Sequence, residues 1–268
     1  MLKDKTIAFL GTGNMASSMI RGLVESKTVE PRQIIAVNPV LPEQAKGLAD
    51  TYKIVNGKSS DIANADIVVF AVKPQNFTEA HEMYKEFLTS EKLYLSIMAG
   101  ICISSLEDAL DAPVVRLMPN LALSVSLSAT AYALGKKATD EHAKITEAFF
   151  APMGLVKQVD ESLISTVTAL SGSGPAYFFY LVEAMSKAAQ GQGMEADTAD
   201  ALALQTLLGS AKLLEVLNVS PEEMRRRVTS KKGTTEAAIN TMADEGFCDV
   251  VAKGMLAAKV RSDELSAG

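Results

Sequence analysis

Gly11 and Gly13 stand between an apolar run and a helical one, in the string Gly11-Thr12-Gly13-Asn14-Met15-Ala16. The chemistry open to such a string is phosphate binding. The first glycine permits a tight turn, the second lets backbone approach a pyrophosphate, and Ala16 permits close helix packing. The helix that follows offers unpaired N–H groups and the positive end of its dipole. Glycines also mark ordinary turns. Set between a strand over 6–10 and a helix over 14–27, at the head of an alternating domain, the string indicates a dinucleotide site.

Position 38 bears on which dinucleotide. A second strand, 34–37, ends in Asn38-Pro39-Val40. A carboxylate there would hold the ribose hydroxyls of NAD. Asn38 is uncharged and does not repel a 2′-phosphate, so NADPH is favoured, with NADH left open because no arginine follows. Three more segments end strands of the same sheet: Ala71-Val72-Lys73-Pro74-Gln75, Ser96-Ile97-Met98-Ala99-Gly100-Ile101 and Arg116-Leu117-Met118-Pro119-Asn120. Ligands of open parallel sheets bind beyond the carboxyl ends of the strands, so all three converge on the crevice of the glycine loop. Each alone reads equally well as a strand-ending turn.

Two further strings lie in the second half. Ala169-Leu170-Ser171-Gly172-Ser173-Gly174-Pro175-Ala176-Tyr177 reads as a small-residue loop feeding a helix. Thr229-Ser230-Lys231-Lys232-Gly233-Thr234-Thr235-Glu236 reads the same way. Both bring N–H groups and hydroxyls to a helix N-terminus, where a carboxylate could bind. Simple capping by Ser and Thr explains them as well, and by themselves they favour it.

The elements that position these strings follow from periodicity. Apolar runs at 6–10, 34–37, 67–72, 93–98 and 114–118, with a weak one at 53–55 closed by Asn56-Gly57, read as strands buried on both faces. Strands at 130–134 and 155–159 are plausible. Strand alternating with helix gives an α/β Rossmann domain, a doubly wound parallel sheet over residues 1–165. Beyond it strand runs disappear. Helices are expected over 175–190, 196–217, 220–227, 234–245 and 249–265, an all-α domain over 166–268. Its Ala/Leu-rich faces suit a subunit interface or an intrachain core, and patterning does not separate the two.

Bulk properties exclude several function classes. The 268 residues are 48% hydrophobic and 22% charged, with a net charge of −6. Such a chain is poorly suited to neutralising nucleic-acid phosphates. Two cysteines make no disulfide framework and suggest a reducing compartment. His81 and His142 sit in polar helical stretches, read as surface positions, and no metal-ligand spacing appears. Without a leader-like segment or a membrane-length apolar run, a cytoplasmic protein with no membrane partner is expected. The run Arg225-Arg226-Arg227 reads as a solvated helix face, and the twelve methionines as core filler.

Taken together and in order, GTGNMA, AVKPQ, SIMAGI, VVRLMPN, ALSGSGPAYFF and the Ser230–Thr235 stretch resemble the pyrroline-5-carboxylate reductases, from Gly11 to Thr235. The resemblance implies NADPH-dependent reduction of 1-pyrroline-5-carboxylate to L-proline, the last step of proline biosynthesis. It implies a helical dimerisation domain, often in rings of dimers. It also implies that Gly11, Thr12, Gly13, Asn14, Met15, Asn38, Asn56, Ala71, Val72, Lys73 and Pro74 bind NADPH, with Met98, Ala99 and Gly100 near the nicotinamide. Ser171, Gly172, Ser173, Gly174, Pro175, Ser230, Gly233, Thr234 and Thr235 would line the substrate pocket. On this reading, backbone N–H groups around Gly233-Thr234-Thr235 take the substrate carboxylate. The Thr235 hydroxyl bonds the ring nitrogen, with Thr234 and Ser173 as lesser candidates.

The chain departs from the family pattern at two places. Lys231 and Lys232 stand where the family's loop has Pro and Gly, and Leu121-Ala122 where it has Thr-Pro. These leave room for an altered substrate or for a non-catalytic NADPH-binding relative. A third reading is a related NADPH-dependent dehydrogenase of the β-hydroxyacid type. Such an enzyme needs a lysine in the helix after the Ser171–Tyr177 string, where none occurs before Lys187.

Overall fold

A computed structural model describes residues 1–267. In chain order the first elements are β1 (Ile7–Leu10), α1 (Asn14–Glu25), β2 (Ile34–Val37), α2 (Pro42–Tyr52), β3 (Val55–Asn56), β4 (Ile67–Phe70), α3 (Phe77–Tyr84), β5 (Leu93–Ser96), α4 (Ile103–Leu110), β6 (Val114–Met118), β7 (Ser128–Leu134), α5 (Asp140–Phe150) and β8 (Gly154–Gln158). Helices complete the chain: α6 (Ile164–Val167), α7 (Gly174–Gly191), α8 (Ala196–Leu217), α9 (Pro221–Arg227), α10 (Thr234–Asp244) and α11 (Phe247–Ala267). The strands form one sheet in the order β3-β2-β1-β4-β5-β6-β7-β8.

The sheet exists because its central strands are apolar at every position. Successive side chains point to opposite faces, so each strand feeds two cores. Ile7 and Phe9, Ile34 and Ala36, Ile67 and Val69 face one side. There they meet Met19, Ile20 and Leu23 of α1 and Phe149 and Phe150 of α5. Ala8, Leu10, Ile35, Val37, Val68 and Phe70 face the other, against Tyr84 of α3 and Leu106 and Leu110 of α4. That two-sided covering makes a continuous apolar run, rather than an alternating one, the mark of these strands.

The sequence expectations need correction at several points. α1 stops at Glu25 rather than at residue 27. Lys27 turns left-handed at φ 57°, its N–H donating to the Val24 carbonyl at 3.0 Å, which closes the helix as a C-terminal cap does. The strands at 67–72 and 93–98 end at Phe70 and Ser96. The sheet is not wholly parallel, since β7 runs antiparallel to β6 after the 3-10 turn Leu121–Val125. His81 and His142 are half-buried rather than surface side chains. A His81 ring nitrogen bonds the Ala109 carbonyl at 2.9 Å, and His142 Nδ1 accepts the Thr139 N–H at 3.0 Å. Burial lowers the pKa of His142.

The chain divides into two compact units, Met1–Ser173 with the last turns from Ala258, and Gly174–Ala257. Within the second, α7 and α8 pack along one another, and Ala199 and Ala203 permit the approach. Ser186 donates to Asp200 across this pair and accepts from Gln190 at 2.9 Å. Apolar side chains of α7 remain outside, with Phe178, Phe179 and Tyr180 at 55%, 61% and 73% exposure. Arg226 and Arg227 both pair with Glu223, each through Nε at 2.8 Å. Their guanidinium hydrogen bonds depress the Glu223 carboxyl to about 2. Among the described residues no single helix is long and apolar enough to cross a membrane.

Phe149 is fully buried and tilts against Phe9 of β1 at a centroid distance of 6.3 Å. Phe149→Ala is expected to cost about 3–5 kcal/mol of unfolding free energy, read as a lower urea midpoint with an unchanged slope.

Candidate functional site

The strand order reverses about β1, which has β2 on one side and β4 on the other. A doubly wound sheet binds its ligand at such a switch point. Here the two strand ends touch. The Ala71 N–H donates to the Leu10 carbonyl at 2.9 Å, and the Gly11 N–H to the Val37 carbonyl at 3.0 Å. Gly11 has φ +96°, and a Cβ on it would lie 2.7 Å from the Ala71 carbonyl oxygen. Both facts demand glycine. Gly13 differs: it is the N-cap of α1, and a Cβ there would meet nothing within 4 Å. No acidic residue occupies the first turn of α1. The first turn of α1 itself carries no negative charge to oppose an anion at its N–H groups, which suits a pyrophosphate.

Asn38 ties this loop to the next helix. Its Nδ2 donates to Thr12 Oγ1 at 2.8 Å, and its Oδ1 accepts the Leu41 N–H at 3.0 Å. A cavity of about 470 Å³ opens between the glycine loop and α2, lined by Thr12, Gly13, Asn14 and Ser17 on one wall. The other wall carries Glu43, a residue the sequence reading passed over. No lysine or arginine lines this cavity among the described residues. Among those residues Glu43 is the one acidic member of the lining.

The remaining expected cofactor residues are distributed as follows. Asn56 is exposed on β3, in register with Ala36. Ala71 and Val72 follow β4, and Lys73 is exposed just before the 3-10 turn Pro74–Asn76. Met98 is only 2% exposed and packs in the core with Tyr94 and Leu106, its N–H donating to Ser96 Oγ at 3.4 Å. Gly100 has φ +81°, and a Cβ would lie 2.6 Å from the Leu265 carbonyl of α11. The end of the chain therefore closes on the Met98–Gly100 turn, a contact no local pattern announces. Cys102 follows. Burial raises its thiol pKa, but hydrogen bonds with the Ser104 and Ser105 hydroxyls outweigh this and lower it overall.

The string from Ala169 is not the loop expected. α6 runs on through a π-helical turn, Thr168–Gly172, in which the Ser173 N–H donates to the Thr168 carbonyl at 2.8 Å. The Ser171 hydroxyl is turned back to the Val167 carbonyl at 3.2 Å. The helix the string was expected to feed does follow, since α7 begins at Gly174. The widened turn leaves a carbonyl for an outside donor, as such turns at functional sites often do. Asn120 Nδ2 donates to the Ser171 carbonyl at 3.0 Å, and Met118 Cε would meet a Cβ on Gly172 at 2.7 Å. The end of β6 and the Ser171–Ser173 turn are thus one packed feature. Leu121, next in chain, is 60% exposed.

In the second unit, Gly174 and Pro175 begin α7. α10 begins at Thr234 with Gly233 as its N-cap and no side-chain cap. The Gly233 N–H donates to the Ser230 carbonyl at 3.0 Å. Lys232 takes the left-handed conformation at φ 58°, and its N–H donates to Glu236 Oε2 at 2.6 Å. Lys232 thus makes a left-handed turn at the strain of a side-chain-bearing residue in that region. Thr235 is half-buried, whereas Ser230, Lys231, Lys232 and Thr234 are exposed. An uncapped N-terminus with two threonines in its first turn can receive a carboxylate.

Comparison with known proteins finds relatives over nearly the whole chain. Residues 161–265 match a family described as pyrroline-5-carboxylate reductase dimerisation. Residues 6–100 match one described as NADP oxidoreductase, coenzyme F420-dependent. A pyrroline-5-carboxylate reductase of Methanosarcina acetivorans is 37% identical, over 98% of this chain and 99% of its own. The structure of a pyrroline-5-carboxylate reductase from Coxiella burnetii superimposes with a TM-score of 0.90 at 33% identity, covering 98% of each chain. A Plasmodium falciparum pyrroline carboxylate reductase with NADP bound shares the fold, with a TM-score of 0.85 at 23% identity and coverage of 98% and 99%.

Asn38→Ala removes both bonds that join the glycine loop to α2. The KM for reduced cofactor is expected to rise roughly 5- to 30-fold, the worth of one or two hydrogen bonds, with kcat changed less than about twofold. Steady-state cofactor titrations at saturating second substrate read both.

Proposed function

The chain belongs to the pyrroline-5-carboxylate reductase family, and from that membership we infer that it reduces 1-pyrroline-5-carboxylate to L-proline, the last step of proline biosynthesis. The observation that carries this reading is the end-to-end match to a reductase of that name, 37% identical over 98% of the chain. NADPH is the cofactor, supported by the NADP oxidoreductase match over residues 6–100 and by the uncharged Asn38. NADH remains usable in the same cleft, because no arginine follows Asn38 and none lines the cavity among the described residues.

We assign the cofactor to the first unit. Gly11 to Met15, with Asn38, would hold its phosphates and ribose, and Asn56 and Ala71 to Pro74 would border it. The turn from Met98 to Gly100 would adjoin the nicotinamide. When bound, the reduced nicotinamide supplies hydride to the imine carbon. A protonated cyclic imine is already electrophilic, so the side chains have little acid–base work to do. Their task is to hold the substrate in a reactive orientation, which by itself can supply several kcal/mol.

The substrate is assigned to the Ser171–Pro175 turn and to the start of α10. The N–H groups after Gly233 would receive its carboxylate, with Ser230 bordering it. Thr235 would present its hydroxyl to the ring nitrogen, with Thr234 and Ser173 in lesser roles. The half-burial of Thr235, against the exposure of Thr234, supports that ranking. A β-hydroxyacid-type mechanism lacks its proton donor: Lys187 is ion-paired with Glu183 on an exposed face of α7.

The second unit is assigned to self-association. Exposed Phe178, Phe179 and Tyr180 and the dimerisation match support a homodimer through these helices. A ring of dimers and a cytoplasmic location complete the proposal.

Purified chain with NADPH and pyrroline-5-carboxylate should lose the absorbance of the reduced cofactor, and no imine-dependent loss would end the functional reading. Thr235→Ala should raise the KM for the imine roughly 10- to 100-fold, as expected for a lost hydrogen bond to a charged group. The KM for NADPH should move less than about twofold. Equal changes in both would place Thr235 outside the substrate site.

A further inference from the structure

One carboxylate oxygen of Glu161 accepts hydrogen bonds from two distant parts of the chain. The Ile103 N–H donates to Oε1 at 2.7 Å and Arg116 Nη1 donates to the same atom at 3.0 Å. The Arg116 side chain is 7% exposed and that of Glu161 34%. A guanidinium buried that deeply is costly to leave uncompensated, so the pair does not open readily.

What matters is where the three partners lead. Ile103 begins α4 and follows closely on the Met98–Gly100 turn. Arg116 lies in β6, which runs on into Met118-Pro119-Asn120. Glu161 opens the 3-10 turn Glu161–Leu163, which continues through α6 into the π-helical turn. The ring closes where Asn120 Nδ2 donates to the Ser171 carbonyl at 3.0 Å. The segments assigned above to the nicotinamide side and to the substrate side thus hang from one oxygen atom.

We infer that Glu161 is a positioning residue for hydride transfer, setting the Met98–Gly100 turn at a fixed distance from the Ser171–Ser173 turn through Ile103 and Arg116. This rests on the functional assignment of those two turns. The reaction is sensitive to such spacing, since a displacement of about 1 Å can cost about 100-fold in rate. Phosphate binding at the glycine loop lies on other strands and is not held by this bond. Loss of the clamp therefore lowers kcat and spares cofactor affinity.

Two substitutions test this in the full-length chain. Glu161→Asp keeps the charge opposite Arg116, so the chain stays folded, but withdraws the acceptor by one methylene. Glu161→Ala removes the acceptor. Both are expected to lower kcat, by roughly 10-fold and 100-fold respectively, with the KM for NADPH within about threefold of wild type. Glu161→Gln, which keeps an acceptor oxygen at the same reach, is expected to recover most of the Glu161→Ala loss. Hydrogen–deuterium exchange of the cofactor-free chain gives a readout independent of turnover. Peptides spanning 98–103 and 168–173 should exchange at least about tenfold faster in Glu161→Asp, while those from β1 and β4 keep their protection. Unchanged kcat in Glu161→Asp, a rise in the NADPH KM matching the fall in kcat, or exchange that quickens evenly across the sheet would each overturn the assignment. A wild-type chain inactive on pyrroline-5-carboxylate would overturn the functional reading instead, and the exchange pattern would still decide the clamp.

Discussion

A Cβ at position 11 would sit 2.7 Å from the Ala71 carbonyl oxygen, closer than any real side chain approaches a backbone. The first strand can therefore turn into its helix only because nothing projects there. That one close approach brings the ends of β1 and β4 together at the point where the sheet changes direction. It also aims α1 so that its uncapped N-terminus faces open space beside Gly13. The turn after β4 is seated by it, through Ala71 and Val72. The fully apolar strands β1, β2 and β4 provide the rigid backing, since both faces are packed there.

Catalysis of an imine reduction asks for little chemistry from side chains, and the structure is arranged accordingly. Its devices are mostly backbone: helix N-termini without side-chain caps at α1 and α10, a π-helical turn whose carbonyl is held by Asn120, and a glycine against which the end of α11 closes. Charged groups act mainly as fasteners. The Arg116–Glu161 pair is the plainest example, its guanidinium nearly sealed from water. One departure from the family string uses the same means. Lys232 adopts the left-handed geometry that glycine would take, and the Glu236 carboxylate secures its N–H.

Much was legible in the linear sequence because the governing forces are local or periodic. The glycine string before a helix and the unbroken apolar runs identified the Rossmann half. The helical half followed from its lack of strands. The order of short strings marked the family. Element boundaries were less legible where a single residue decides them: Lys27 ends α1 by turning left-handed, and Ser96 ends β5 although apolar residues continue. The reading of the Ser171–Ser173 string as a loop failed because small residues suit a loop and a tightly packed helical turn equally well. Only contact with Met118 and Asn120 chooses between them.

What this sequence determined by itself is the kind of fold, the glycine turn at its head and the family to which the chain belongs. These depend on spacing along the chain, which a sequence states outright. Tertiary structure alone decided that Glu43 lines the cleft beside Asn14, that Leu265 seats against Gly100, and that Glu161 reaches both Ile103 and Arg116. Each joins positions tens of residues apart or more, and such meetings are set by how buried surfaces pack rather than by any local preference. No periodicity encodes them.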